Sequence, residues 1–143
     1  SESRREVAVH QPFTGTFKLR LDDKGRLTLP AKYREHFEQG VMVAKVQEGC
    51  LAVYTLEEFQ ALVARWTARV STERELRAFQ RWLGAGTSDN PMDRSGRVLV
   101  PEDLRAHAGL DREVVMVGGT DRLEIWDPQR WAVAAAELDE MFS

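Results

Sequence analysis

The residues whose types and spacing could do chemistry here are cations set beside glycines. Lys24 and Arg26 flank Gly25 in Asp22-Asp23-Lys24-Gly25-Arg26, and Arg94 and Arg97 sit in Asp93-Arg94-Ser95-Gly96-Arg97. A guanidinium is a planar fork that can make two parallel hydrogen bonds to a phosphate or to the edge of a guanine. An ammonium supplies a point charge that positions a phosphate without reading sequence. The glycine lets the backbone approach closely. This pattern points to non-covalent recognition of nucleic acid, with Arg26 on a base edge or phosphate and Lys24 on phosphate. The competing reading is that Arg26 pairs with Asp22, and Arg97 with Asp93, to brace a turn. One loop accommodates both roles. Asp22, Gly25, Asp93 and Gly96 read as turn formers, because Asp bonds its own backbone and Gly tolerates positive φ.

Other chemistries find little support. No nucleophile–base pair or phosphate-cradling Walker loop accompanies the two turns, so an enzyme that holds phosphate is the least supported reading. Cys50 is the single cysteine, which forms no internal disulfide and supplies no metal cluster. His36 and His107 have no second ligand at metal spacing and read as helix-end residues. Asp22, Asp23 and Asp93 lack the oxygen-rich spacing of a calcium loop. Trp66, Trp82, Trp126 and Trp131 could stack on bases, but their apolar helical or strand settings favour core or subunit packing. No cofactor and no small-molecule substrate are expected.

A net charge of −3 argues against nucleic acid only if charge is evenly spread, and it is not. Between Lys18 and Arg34 lie six cations, Lys18, Arg20, Lys24, Arg26, Lys32 and Arg34, against the anions Asp22 and Asp23. The stretch from Glu137 to Phe142 carries Glu137, Asp139 and Glu140 with no cation. Residues are 43% hydrophobic and 30% charged, a balance that forms a packed core and excludes wholesale disorder. Ser1 to Glu6 show neither an initiating Met nor an apolar signal core, and no stretch has the length of a membrane span. The expectation is a cytoplasmic protein in a reducing compartment, without membrane contact.

The elements that must position these cations are duplicated. Leu21-Asp22-Asp23-Lys24-Gly25-Arg26-Leu27-Thr28-Leu29-Pro30 returns as Met92-Asp93-Arg94-Ser95-Gly96-Arg97-Val98-Leu99-Val100-Pro101. Arg34 answers Arg105 and His36 answers His107. After one single-residue slip, Leu51-Ala52-Val53-Tyr54 answers Leu123-Glu124-Ile125-Trp126. The alternation Phe17-Lys18-Leu19-Arg20-Leu21 predicts a strand with Lys18 and Arg20 on its exposed face. Leu27 to Leu29 is expected to return as its partner, as Val98 to Val100 does in the second half. Prolines 30 and 101 suit helix starts, with short helices over Ala31 to Phe37 and Glu102 to Ala108. Strand pairs follow over Val41 to Val46 with Leu51 to Tyr54, and Val114 to Val117 with Leu123 to Trp126. Capping signals at Thr55, Thr72 and Asp127 start three further helices. Gly84 to Pro91 reads as the linker between the halves.

These motifs resemble the MraZ family. Leu21 to Arg34 is similar to its first signature, Met92 to Arg97 with Leu104 to Leu110 to its second, and Leu123 to Asp127 to its closing strand and helix start. The resemblance covers about residues 13 to 143, and two such turns at this separation make it specific. It implies a mixed α/β, mainly β fold: two AbrB-like (SpoVT-AbrB) halves forming a pseudo-twofold small β-barrel with peripheral helices. The division is 1–12 as a disordered tail, 13–83 as the first half with connecting helices, 84–91 as linker and 92–143 as the second half. It further implies a nucleoid-associated transcriptional regulator that binds double-stranded DNA at short direct repeats upstream of the division and cell-wall gene cluster, including its own promoter, as a ring-like homo-oligomer. Lys24, Arg26, Lys18, Arg20, Arg94 and Arg97 are the expected DNA contacts. One departure stands out: the second turn has Arg94-Ser95 where the first has Asp23-Lys24, so the two loops present different charge. The alternative is an antitoxin-like protein-interaction module on the same fold.

Overall fold

The computed structural model describes residues 12–143. The tail expected over 1–12 therefore lies, but for Pro12, outside the described residues. In chain order the first half contains β1 (Thr16–Arg20), β2 (Arg26–Thr28), α1 (Ala31–Phe37, wound as a 3-10 helix), β3 (Val41–Lys45), β4 (Leu51–Thr55), α2 (Leu56–Arg69) and α3 (Glu73–Ala85). The second contains β5 (Thr87–Asp89), β6 (Arg97–Leu99), α4 (Glu102–Ala108), β7 (Glu113–Gly118), β8 (Leu123–Trp126) and α5 (Pro128–Phe142).

The strands form a six-stranded antiparallel sheet, ordered β1-β7-β8-β4-β3-β5, and a separate two-stranded ribbon, β2-β6. Exchanging each strand for its repeat counterpart turns the six-stranded order into its own reverse. The registers obey the same symmetry. Leu27 faces its counterpart Val98, and Ala52 faces its counterpart Glu124. A pseudo-twofold axis therefore passes through the ribbon and through the β4–β8 pair. Hydrogen bonding leaves the large sheet open, with β1 and β5 as its edges, so its strands do not close into the expected barrel. Closure would need β1 and β5 to meet, and β5 is only three residues long.

Two expectations are corrected. Leu27 to Leu29 does not pair with the strand before it. The turn does close, with Asp22 N–H donating to Arg26 O at 2.9 Å. Beyond it the chains diverge: β1 takes β7 as its partner and β2 takes β6. Leu29 N–H donates to Gly96 O and Val100 N–H to Gly25 O, both at 2.9 Å. The physical reason is burial. Leu27, Leu29, Val98 and Val100 all enter one core, and only pairing across the halves puts the four side chains there together. The stretch 84–91 is likewise not a structureless linker. Gly84 and Ala85 end α3, and β5 pairs with β3 from Met42↔Asp89 to Ala44↔Thr87. An edge strand is held by its backbone, so the small polar residues there carry no apolar alternation that would announce it.

The main core draws Phe13, Tyr33, Phe37, Val43 and Val53 from one half and Leu104, Val114, Met116 and Ile125 from the other. Val41 to Ala44 and Leu51 to Thr55 are buried on both faces, which is why they read as continuous apolar runs. On the outer face, α2 and α3 cover Met42, Ala44 and Tyr54 through Phe59, Leu62 and Phe79. There α5 covers Val115, Val117 and Trp126 through Trp131 and Ala134. Helix starts follow their signals. The Thr55 hydroxyl accepts from Glu58 N–H at 3.0 Å, and Asp127 accepts from Gln129 N–H at 3.1 Å and Arg130 N–H at 3.0 Å. At α3, Thr72 accepts from Glu75 N–H, while the Glu75 carboxylate takes Ser71 N–H at 3.0 Å.

Candidate nucleic-acid interface

Strand pleat decides what the β2–β6 ribbon shows to solvent. Leu27 and Val98 point into the core, at 1% and 2% exposure. Arg26, Thr28, Arg97 and Leu99 therefore share the opposite, outward face. In register, Arg26 lies opposite Leu99 and Thr28 opposite Arg97. Each end of the ribbon is a turn of the repeated motif, with Lys24 exposed in one and Arg94 exposed in the other.

The two turns are built alike. Asp22 Oδ1 accepts from the N–H groups of Lys24 at 2.9 Å and Arg26 at 2.8 Å, while Oδ2 accepts from Arg26 Nε at 2.8 Å. Asp93 Oδ1 accepts from Ser95 and Arg97 N–H, each at 2.9 Å, and Oδ2 from Arg97 Nε at 2.7 Å. These bonds hold both carboxyl groups below their usual range. The backbone N–H of Arg26 is the leading cause for Asp22, and that of Arg97 for Asp93. Bracing is thus what both arginines do along their Nε edge. It leaves the two Nη groups of each fork without an acceptor among the described residues. A braced guanidinium with a free outer edge is preorganised for a planar, two-point acceptor.

Each turn also receives an arginine from the other half. Arg34 donates Nε to Leu29 O, and Arg105 donates Nε to Val100 O, both at 3.0 Å. These bonds carry Arg105 against Gly25 and Arg34 against Gly96. A Cβ on Gly25 would stand 3.1 Å from the Arg105 guanidinium carbon, and one on Gly96 would collide with Arg34. Both glycines have positive φ, +78° and +81°, the left-handed region that favours glycine. Lys24, Arg26 and Arg105 therefore gather at the first turn, and Arg94, Arg97 and Arg34 at the second. Arg112 at the first turn is neutralised by Asp23, at 2.6 Å.

The expected site residues separate into two groups. Lys24, Arg26, Arg94 and Arg97 come together on the ribbon and its turns. Lys18 and Arg20 are exposed on β1, in the six-stranded sheet, and Arg20 lies 3.7 Å from Glu113. Lys32 sits over the rings of Phe17 and Tyr33, at 5.6 and 4.9 Å. Asp22 and Gly25 lie in the first turn, and Asp93 and Gly96 in the second. Sequence reasoning counted Arg34 only within the basic stretch from Lys18 to Arg34 and left Arg105 out of the site, although their equivalence across the repeat was a visible signal.

Residues set aside for other chemistry fall elsewhere. Cys50 is fully buried, and burial pushes its thiol up, away from reactivity. His107 Nε2 lies 3.1 Å from Val46 O. Trp126 is buried and packs on Trp131 at 5.4 Å between ring centroids. Trp66 stacks on Phe79 yet stays 40% exposed, and Trp82 is 52% exposed. Among the described residues no group of three or more His, Cys, Asp or Glu could hold a metal ion, and no helix is long and apolar enough to cross a membrane.

Fold and site together define a tandem-repeat, strand-exchanged α/β protein whose two halves jointly present an arginine-bearing β-ribbon. Residues 13–82 and 83–143 each match the family model described as "MraZ protein, putative antitoxin-like". Proteins named "Transcriptional regulator MraZ" are similar over 131 residues, 92% of each chain: 47% identical in Nocardia farcinica, 44% in Thermobifida fusca and 47% in Corynebacterium glutamicum strain R. The chain belongs to the MraZ family.

Proposed function

We propose that this chain is a sequence-specific, non-enzymatic DNA-binding regulator of transcription that lays the β2–β6 ribbon into the major groove. The observation that carries this reading is the pair of arginines, Arg26 and Arg97, on one outward face, each held by an aspartate along Nε. A two-stranded ribbon fits the major groove, and an arginine fork meets guanine O6 and N7. Lys24, Arg94, Arg34 and Arg105 supply the phosphate-facing charge, with Lys18 and Arg20 as an outlying pair. The relatives' names support a regulatory role.

The targets are short direct repeats upstream of the division and cell-wall gene cluster, including the chain's own promoter, and the protein acts at the cytoplasmic nucleoid. It acts as a ring-like homo-oligomer, so that several weak ribbons bind adjacent repeats and tethering raises their effective concentration. Two unlike helical surfaces support self-association. One carries Trp82 with Arg74, Arg77 and Arg81 on α3; the other carries Leu138, Met141 and Phe142 with Glu137, Asp139 and Glu140 on α5. A groove of about 840 Å³ lies between α5 and β7–β8. Surfaces that complement one another and not themselves join head to tail, and close into rings where the rotation between subunits permits.

The test is fluorescence anisotropy on DNA from upstream of the chain's own gene, against scrambled DNA, across a salt series. Selective binding that a folded Arg26→Ala variant loses is expected. Absence of binding to either DNA at low salt would overturn the reading. The family description as antitoxin-like favours a second reading, a protein-interaction module. Stoichiometric capture of a partner, without salt-dependent DNA affinity, would bring that reading forward.

A further inference from the structure

The ribbon's symmetry is broken at one pair of outward positions. Thr28 and Leu99 are repeat counterparts on β2 and β6, and both are exposed. The first is a polar residue; the second is a leucine with 37% of its surface in water. The other exposed large hydrophobic residues among those described, Trp66, Trp82, Val133, Leu138, Met141 and Phe142, all lie on α2, α3 or α5. Leu99 alone sits in a strand, on a face otherwise formed by Arg26, Arg97 and Thr28. Its neighbours Val98 and Val100 are buried at 2% and 0%, so the pleat fixes Leu99 outward and the core has no use for it.

Resting on the reading that the ribbon enters the major groove, we propose that Leu99 reads the C5-methyl group of a thymine beside the base pair taken by Arg26. Leu99 and Arg26 are directly opposed in register, which puts their Cβ atoms about 4.5–5.5 Å apart. Stacked base pairs are spaced by about 3.4 Å, so the two side chains meet the same or adjacent pairs. The thymine methyl is the apolar group that the major groove displays. A leucine that costs free energy in water gains it back when that methyl covers it. The Thr28 side of the ribbon has a hydroxyl at the corresponding place. One chain therefore reads a site with a direction, although its backbone is nearly twofold symmetric.

The probe is a duplex enriched from a random-sequence library on the wild-type chain, with each thymine then replaced singly by deoxyuridine, which lacks only the methyl. One replacement is expected to weaken the wild-type chain about fourfold, the worth of one buried methyl-sized group. The same replacement should have no effect on Leu99→Ser or Leu99→Asn, which carry no methyl group, and should keep its full effect on Thr28→Ala. Both Leu99 changes are at an exposed side chain, and thermal unfolding checks that the variants fold. A leucine with a merely structural role would weaken binding to the thymine and deoxyuridine duplexes alike. The inference is overturned if no replacement affects the wild-type chain, or if the effect persists in both Leu99 variants. If the library yields no enriched duplex at all, the DNA reading itself falls and the inference falls with it.

Discussion

Arg26 and Arg97 each answer to two demands at once. The Nε edge satisfies an aspartate of the same turn, and the Nη edge has no acceptor among the described residues. Removing Arg26 should therefore cost specificity: Arg26→Ala is expected to lose about 1–3 kcal/mol of discrimination, read by anisotropy on selected against scrambled DNA. Arg94→Ala should instead weaken binding evenly across sequences and lower the salt slope by about one. A sequence-selective loss in Arg94→Ala would reassign that residue to base reading. The aspartates give a pH dependence with a definite sign. Their folded pKa values are lowered, so bracing contributes stability above the ordinary Asp value of 3.8. That contribution is lost as pH falls through the lower folded values. Thermal unfolding of wild type and of the Asp22→Asn/Asp93→Asn double variant should differ at pH 6, keep that difference down to the ordinary Asp value of 3.8, and narrow only as pH falls below it. A constant gap would mean that the carboxylates do not brace the turns.

At the scale of elements, the two turns are similar in shape and different in tolerance. An alanine at Gly25 or at Gly96 pays for positive φ by about 1–2 kcal/mol. At Gly96 the added Cβ also runs into the Arg34 guanidinium, whereas at Gly25 it stands 3.1 Å from that of Arg105. Gly96→Ala is therefore expected to lower the urea midpoint further than Gly25→Ala. The reverse order would show that Arg34 moves aside freely. The ribbon also explains why neither turn is a self-contained hairpin. Each strand that leaves a turn is stabilised by the other half, so the charge at each turn is assembled from both halves.

At the scale of the whole molecule, the two halves share one six-stranded sheet, one ribbon and one main core. A fragment of residues 13–83 would leave β1, β2 and β4 without β7, β6 and β8, along with half of the core. It is expected to be unfolded or dimeric, by circular dichroism and light scattering; a folded monomer would contradict the exchange of strands. The proposed assembly belongs to this scale too. Met141 is 70% exposed on α5, so Met141→Glu should leave the fold intact and lower the mass of the assembly in solution. An unchanged mass would place the subunit contact elsewhere.

The repeat, its turns and most of its elements were legible in the sequence because they are local. Asp, Gly and Pro act within a few residues of themselves, and β3, β4 and β7 declare their burial by composition alone. Strand partners were not legible. The alternation of Leu27-Thr28-Leu29 says which face is buried and nothing about whose backbone accepts its hydrogen bonds. Nor was β5, whose Thr87-Ser88-Asp89 is held by backbone pairing alone. Arg34 and Arg105 could be matched to each other by counting, but only the crossing of the halves sets each against the other's glycine. Local chemistry determined the parts, while tertiary structure decided their partners, because backbone hydrogen bonds carry no label of the residue that makes them.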